Sequence, residues 1–292
     1  MARILAVGVA TLDIINRVDT YPEEDAKIRA TAQRVCRGGN ATNTLVVLSQ
    51  LGHRCRWAGT LGGDFAADTI RADLETYDID LGACRLYRDG HTPTSYVVHS
   101  MSTGSRTIIH YRDLPEYGHE DFATVPLENL DWIHFEGRNI PETTSMMERV
   151  RKTLPTLRCS LEVEKSRPGI EALFPLADVL LFSRDYAIGQ GFHDAPSFLQ
   201  HLRKCLPGIN LVCAWGEAGA SGVDRNGRVG DSPAHPPATV VDALGAGDTF
   251  NAGIIDACLR GYSLQEALGH ACHLAGMKCG HTGLDFIRPG TT

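Results

Sequence analysis

The sequence predicts an α/β protein: a mostly parallel central sheet with helices on both faces, and a small β-sheet lid beside it. Three observations carry this. Beyond residue 130, short apolar runs rich in β-branched residues alternate with helical stretches, a rhythm that implies parallel strands covered on both faces. Two extended pieces, residues 13–35 and 93–112, do not fit that rhythm and read together as the lid. A glycine-rich turn ending in one carboxylate, Gly245-Ala-Gly-Asp248, joins an extended segment to a helix. One domain over residues 1–292, with both lid pieces inserted in it, accounts for all three.

The elements follow in order. Residues 4–9 are an apolar run and read as a buried strand, and 12–18 continue in extended, alternating style. Residues 40–51 are helical, with Leu45, Leu48 and Leu51 at helical spacing and Gly52 to stop the helix. Asp64 can cap a second helix ending near Tyr77. Residues 94–101 and 106–111 form a hairpin across the turn-rich 102–105 link. Strands are expected at 132–135, 159–163, 179–182 and 211–214, with helical segments in the first three gaps. A hairpin turning at Asn226-Gly227 follows. Val240 and Val241 read as the end of a strand, and 249–260 as a helix. Ser263-Leu-Gln-Glu266 is a capping box that opens the last long helix.

Composition bounds the function. A chain of 292 residues, 43% hydrophobic, can bury a sizeable core. The formal net charge of −7, with no basic stripe, argues against a nucleic-acid partner. No apolar run is long enough to span a membrane, and the N-terminus enters a strand without the pattern of a signal peptide. The 9 cysteines are odd in number and lack zinc-knuckle spacing. Free thiols fit a cytoplasmic location.

The 240–250 stretch carries the chemistry. Glycines at a helix N-terminus expose N–H groups that attract anions and let a phosphate approach. An acid placed there suits phosphoryl transfer to a hydroxyl, which needs an anion hole and a base. Gly245, Ala246 and Gly247 are therefore read as the anion hole and Asp248 as the base, although an Asp there is also an ordinary helix cap. Gly39, Asn40 and Asn43 stand at the start of the 40–51 helix, where paired glycines allow close approach and neutral amides suit a polyol. Asp13 follows the first strand, at the carboxyl end where open α/β sheets bind ligands. Arg106, on the second lid piece, could clamp a phosphate. Ala214, Trp215, Gly216 and Gly219 form a second glycine-rich turn suited to a nucleotide, and Pro236 lies in a rigid turn that could wall a base. Glu162 and Glu164 alternate along one strand, so they need either a metal nearby or an ion pair with Arg138 or Lys165. No residue is assigned as a metal ligand.

Two of these strings, Arg37-Gly-Gly-Asn-Ala-Thr-Asn43 and Leu244-Gly-Ala-Gly-Asp-Thr-Phe-Asn251, resemble the N- and C-terminal signatures of the ribokinase-like (phosphofructokinase B-type) carbohydrate kinases. Further stretches, among them Gly104-Ser-Arg-Thr-Ile108, Trp132-Ile-His-Phe-Glu-Gly-Arg-Asn139 and Glu162-Val-Glu-Lys165, resemble the fructose 1-kinase branch of that family over nearly the whole chain. The resemblance implies ATP as donor, Mg²⁺ as cofactor and K⁺ as a further candidate ion. It implies a ketose held by Asp13, Gly39, Asn40 and Asn43, phosphate contact from Arg106, and Cys279 near the adenine. It also implies a homodimer through the lid, with Asp25 reaching the partner's sugar site. Three departures stand out. Ser183-Arg-Asp-Tyr186 replaces the Asn-x-x-Glu motif tied to Mg²⁺ in many members, Ala243-Leu244 replaces two threonines, and Arg184 stands where a lysine is usual. Another ketose, ribose or a nucleoside is the alternative acceptor, and a sugar- or nucleotide-binding sensor the alternative outside enzymes. A dehydrogenase is disfavoured, since the first turn, Gly8 to Asp13, is not GxGxxG.

Overall fold

The computed structural model describes residues 1–287, so residues 288–292 of the 1–292 span lie outside the described residues. Its strands are β1 (Arg3–Val7), β2 (Thr11–Val18), β3 (Ala32–Gly38), β4 (Arg54–Ala58), β5 (Thr60–Gly62), β6 (Arg85–Tyr87), β7 (Thr94–Ser100), β8 (Arg106–Tyr111), β9 (Trp132–Glu136), β10 (Arg158–Val163), β11 (Val179–Phe182), β12 (Asn210–Ala214), β13 (Ala220–Val223) and β14 (Val229–Ser232). Its α-helices are α1 (Asn40–Gln50), α2 (Phe65–Glu75), α3 (His119–Ala123), α4 (Ile140–Thr153), α5 (Arg184–Gly189), α6 (Ala195–Arg203), α7 (Ala246–Arg260) and α8 (Leu264–Cys279).

Eight strands form the main sheet, in the order β14-β13-β12-β11-β10-β9-β1-β4. The pairs from β12 to β4 are parallel, and β13 and β14 add an antiparallel edge. Side chains alternate between two cores, as strands buried on both faces require. Leu5, Ile133, Leu161 and Leu180 face the core shared with α4 and α6. Ile4, Trp132, Val179 and Leu181 face the core shared with α1, α7 and α8.

From β1 the chain passes to β4 on one side, and it returns to β9 on the other. Ligands bind at such a reversal, beyond the carboxyl ends of the strands. Two helices begin there, α1 right after β3 and α7 right after the glycine turn, and they pack on each other. A second sheet, in the order β3-β2-β7-β8, stands beside this edge. Its register gives its faces opposite characters. Cys36, Asp13, Ser95 and His110 pair in a row across the four strands and line the cavity described below. One residue along, Val35, Ile14, Tyr96 and Ile109 form an apolar row on the other face.

Local rules fix many boundaries. The Asp64 carboxylate caps α2 by accepting from the Ala67 N–H, and Ser263 and Glu266 close the capping box of α8. Three elements differ from expectation. The 164–178 gap holds a 3₁₀ helix (Ile170–Leu176) containing Pro175, whose missing N–H disfavours an α-helix. Val240 and Val241 are exposed and lie in no strand. The sheet has ended at β14, and the Val241 and Asp242 N–H groups both donate to the Cys279 carbonyl at the end of α8. Finally, α7 starts at Ala246 rather than Thr249, so Asp248 sits inside the first helical turn.

Candidate active site

A cavity of about 740 Å³ opens at the strand reversal and extends between the main sheet and the second sheet. Asp13, Gly39, Asn40, Asn43, Arg106, Ala214, Gly245, Gly247 and Asp248 all line it. Ala246, Trp215, Gly216, Gly219, Pro236 and Cys279 do not. The Trp215 N–H donates to the Gly219 carbonyl and the Gly219 N–H to that of Gly216, so this segment closes a tight turn just past Ala214. Asp25 lies away from the cavity, exposed at φ 62° in the connection between β2 and β3.

The glycine turn leaves several backbone donors open at the start of α7. Gly245 caps α7 at φ 82°, a left-handed conformation that glycine adopts without steric cost. The first-turn N–H groups of Gly247 and Asp248, and that of Gly245, have no hydrogen-bond partner among the described residues, whereas Ala246 N–H reaches the Ala243 carbonyl at 3.3 Å. Asp242 holds the turn from behind. Its Oδ1 accepts from Leu244 N–H at 2.9 Å, and Arg34 of β3 pairs with its Oδ2 at 3.1 Å. The buried Lys278 Nζ donates to the Asp242 carbonyl at 2.7 Å.

Asp248 is buried beside these donors, and its Oδ2 accepts from Asn43 Nδ2 at 2.7 Å. Burial pushes its pKa up from the usual carboxylate range to about 7, and the charges of Glu136 and Glu164 push the same way. The Asn43 hydrogen bond and the Arg37 guanidinium oppose the rise. A carboxylate of that basicity is matched to proton abstraction near neutral pH. Asp13 stands across the cavity, its Oδ1 accepting from Thr11 Oγ1 at 2.8 Å. Burial raises its pKa too, against hydrogen bonds from Thr11 and Ser95. A Cβ at position 38 would strike the Asp13 carboxylate, which is why a glycine stands there.

The amides are more committed than their sequence pattern suggests. Asn43 Oδ1 accepts from Arg37 Nη1 at 2.6 Å, so both ends of its amide are engaged by the protein. Asn40 Nδ2 donates to Glu162 Oε1 at 3.1 Å, and Asn251 Nδ2 to the same oxygen at 3.0 Å. Sequence reasoning did not assign Arg37 or Asn251 a role, although both stand inside the two signature strings. Glu162 takes neither of its expected cations. Lys165 pairs with Glu164 at 3.1 Å, Arg138 lies 3.8 Å from Glu136, and Glu162 Oε2 is buried without a partner among the described residues. Burial, then the charges of Asp248 and Glu136, raises the Glu162 pKa well above its ordinary value, favouring the neutral acid.

Comparison with known proteins gives the chain its family. The family model described as pfkB family carbohydrate kinase matches residues 1–289. The chain is 44% identical to ketohexokinase of Mus musculus over 98% of both chains. It is 26% identical to an ATP-dependent ribose-1-phosphate kinase of Halopiger xanaduensis, over 97% of this chain and 94% of that one. In structure it resembles the Arabidopsis thaliana ribokinase complexed with ribose and ATP. The TM-score is 0.79, with 22% identity and coverage of 97% of this chain and 94% of that one. Matched along nearly its whole length, this chain belongs to the pfkB family of carbohydrate kinases.

Proposed function

We propose that the protein is an ATP-dependent fructokinase that phosphorylates the C1 hydroxyl of D-fructose to fructose 1-phosphate. The observation that carries this reading is the juxtaposition at the start of α7. A buried carboxylate of raised pKa, Asp248, stands in the same helical turn as three N–H groups that have no partner among the described residues. The 44% identity to mouse ketohexokinase over 98% of both chains supports fructose as the acceptor.

The sugar lies between the second sheet and the start of α1. Asp13 accepts from its hydroxyls, while Asn40 and the Gly39 backbone hold its polar edge. Asp248 takes the proton of the attacking hydroxyl as its oxygen bonds to the γ-phosphorus. The N–H groups of Gly245, Gly247 and Asp248 receive charge on the transferred oxygens, and that charge is stabilised most where donors are already aimed. Arg106 reaches the phosphates from β8. The turn from Ala214 to Gly219, with Pro236 and Cys279 beyond it, borders the nucleotide. Mg²⁺ would come with the nucleotide's phosphates, and would supply positive charge to offset the charge that develops on the transferred group. The carboxylates of Asp13, Glu162, Glu164 and Asp248 on the cavity wall are oxygen donors of the kind such a hard cation takes. Nine free cysteines are consistent with a cytoplasmic enzyme. The apolar row on the outer face of the second sheet supports a homodimer through that sheet, which would bring Asp25 towards the partner's sugar.

The test is transfer from Mg²⁺–ATP to a panel of sugars and nucleosides, wild type beside Asp248→Asn, with the position of the phosphate read by NMR. Fructose 1-phosphate is expected from the wild type, with a loss of at least ~10³-fold in kcat for the variant. Faster turnover of ribose or a nucleoside would displace fructose while leaving the chemistry in place.

A further inference from the structure

Asn43 is held at both ends. Arg37 Nη1 donates to its Oδ1 at 2.6 Å, and its Nδ2 donates to Asp248 at 2.7 Å. The same Nη1 donates to Thr42 Oγ1 at 3.0 Å, and Arg37 Nε donates to Asp73 Oδ2 at 2.5 Å. One run of hydrogen bonds thus leads from Asp73 on α2, through Arg37 on β3 and Asn43 on α1, to Asp248 on α7. The Arg37 side chain is only 4% exposed, so water competes little for its donors.

An asparagine amide has two orientations, and they are opposites towards a carboxylate. One presents N–H donors and the other an acceptor oxygen. Arg37 carries donors and no acceptor, so it can meet only the oxygen of Asn43. That contact leaves the N–H groups facing Asp248. We propose that Arg37 is a positioning residue for phosphoryl transfer, which locks the Asn43 amide so that Asp248 is both oriented and kept ionisable. The proposal rests on the reading of Asp248 as the base.

The charged groups around Asp248 make the effect measurable. Glu136 from β9 and Glu164 just past β10 both disfavour its ionisation, Arg37 and the Asn43 donor favour it, and Glu162 beside them favours its own neutral form. Losing Arg37 removes a positive charge and frees the amide to turn. Both changes raise the pKa of Asp248, so the acidic limb of the pH–rate profile moves to higher pH. A residue that only braced the fold would lower stability and leave that limb in place.

The experiment is the pH dependence of kcat for wild type, Arg37→Met, Arg37→Lys and Asp73→Asn, with thermal unfolding of each and Asp248→Asn as reference. Arg37→Met is expected to lose about 10–100-fold in kcat, to keep its sugar KM within about threefold, and to shift the acidic limb up by about one pH unit. Arg37→Lys keeps the charge but not the planar fork, so it shifts the limb by less. A folded Arg37→Met protein whose acidic limb coincides with that of wild type overturns the proposal. Should both Arg37 variants fail to fold, Asp73→Asn decides, since its side chain is 39% exposed and tolerates change. There a small upward shift supports the proposal and an unmoved limb overturns it. Turnover retained by Asp248→Asn would instead remove the base reading itself, an outcome separate from any limb position.

Discussion

At Asp248, burial that would suit the proposed base acts against stability. With its pKa raised by burial to about 7, the folded protein binds a proton there more tightly than the unfolded chain, whose carboxyl titrates near ~4. Folding stability therefore falls as pH rises from about 4 to about 7, and the deficit is complete above that. Activity should run the other way, rising through pH 7 as the base ionises. Asp248→Asn removes the ionisation, so the dead variant should be the more stable one at pH 8, with Tm higher by on the order of 5 °C. At pH 4 the two should melt together. Differential scanning calorimetry across that range checks this, and a variant less stable than wild type at pH 8 would contradict it. That Gly245, Gly247 and Asp248 meet Gly39, Asn40 and Asn43 at one cavity was legible in the sequence because each set lies in one local string at a helix start. The partners of those residues were not. Asn43 and Asp248 are 205 positions apart, and Asn40 and Glu162 are 122 apart, so no local pattern shows that each amide is already spoken for.

Helix α7 positions Asp248, and a second carboxylate near its far end fixes α7. Asp256, fully buried, accepts from His53 Nε2 at 2.8 Å, His270 Nε2 at 2.9 Å and Arg260 Nε at 2.8 Å. Those donors come from the residue before β4, from α8 and from α7 itself, so one carboxylate ties three elements together. Burial alone would push its pKa up, but hydrogen bonds from His270, His53 and Arg260 outweigh it and hold the carboxyl far below the usual range. The stability this adds is present above about pH 4 and fades as pH falls further towards the folded pKa. Asp256→Ala should cost about 3–5 kcal/mol at pH 7, because it leaves buried donors unpaired. Urea unfolding at pH 7 and pH 3 should show the gap narrowing in acid, and an equal gap at both values would contradict the linkage. Nothing in the spacing of His53, Asp256 and His270 announces this cluster. The capping of α2 and α8 could be read because donor and acceptor lie three residues apart. The Val240-Val241 segment misled because a β-branched pair fits any extended chain, and only the sheet's end at β14 denies it a partner strand.

Across the whole molecule, the second sheet must satisfy two surfaces with one alternation of side chains. Its polar row, Cys36, Asp13, Ser95 and His110, faces the cavity, so register alone turns Val35, Ile14, Tyr96 and Ile109 away from it. A one-residue slip would exchange the faces and destroy the site, so the outward row is a consequence of the inward one. Exposure is 46% at Val35, 47% at Tyr96 and 63% at Ile109, an apolar strip that a solitary chain would leave in water. The proposed dimer covers it, and two-fold symmetry would set the same row against its own copy. Ile109→Asp places a charge at the β8 end of that strip without touching the cavity row. It should shift the sedimentation coefficient from dimer to monomer at micromolar protein, with Tm changed little, because Ile109 is exposed within the single chain. If Asp25 completes the partner's sugar site, the monomer should also bind fructose several-fold more weakly, and Asp25→Ala in the intact dimer should reproduce that loss. A variant that sediments like wild type would show that the strip is not the interface. A monomer with unchanged fructose KM would show that each chain holds its sugar alone.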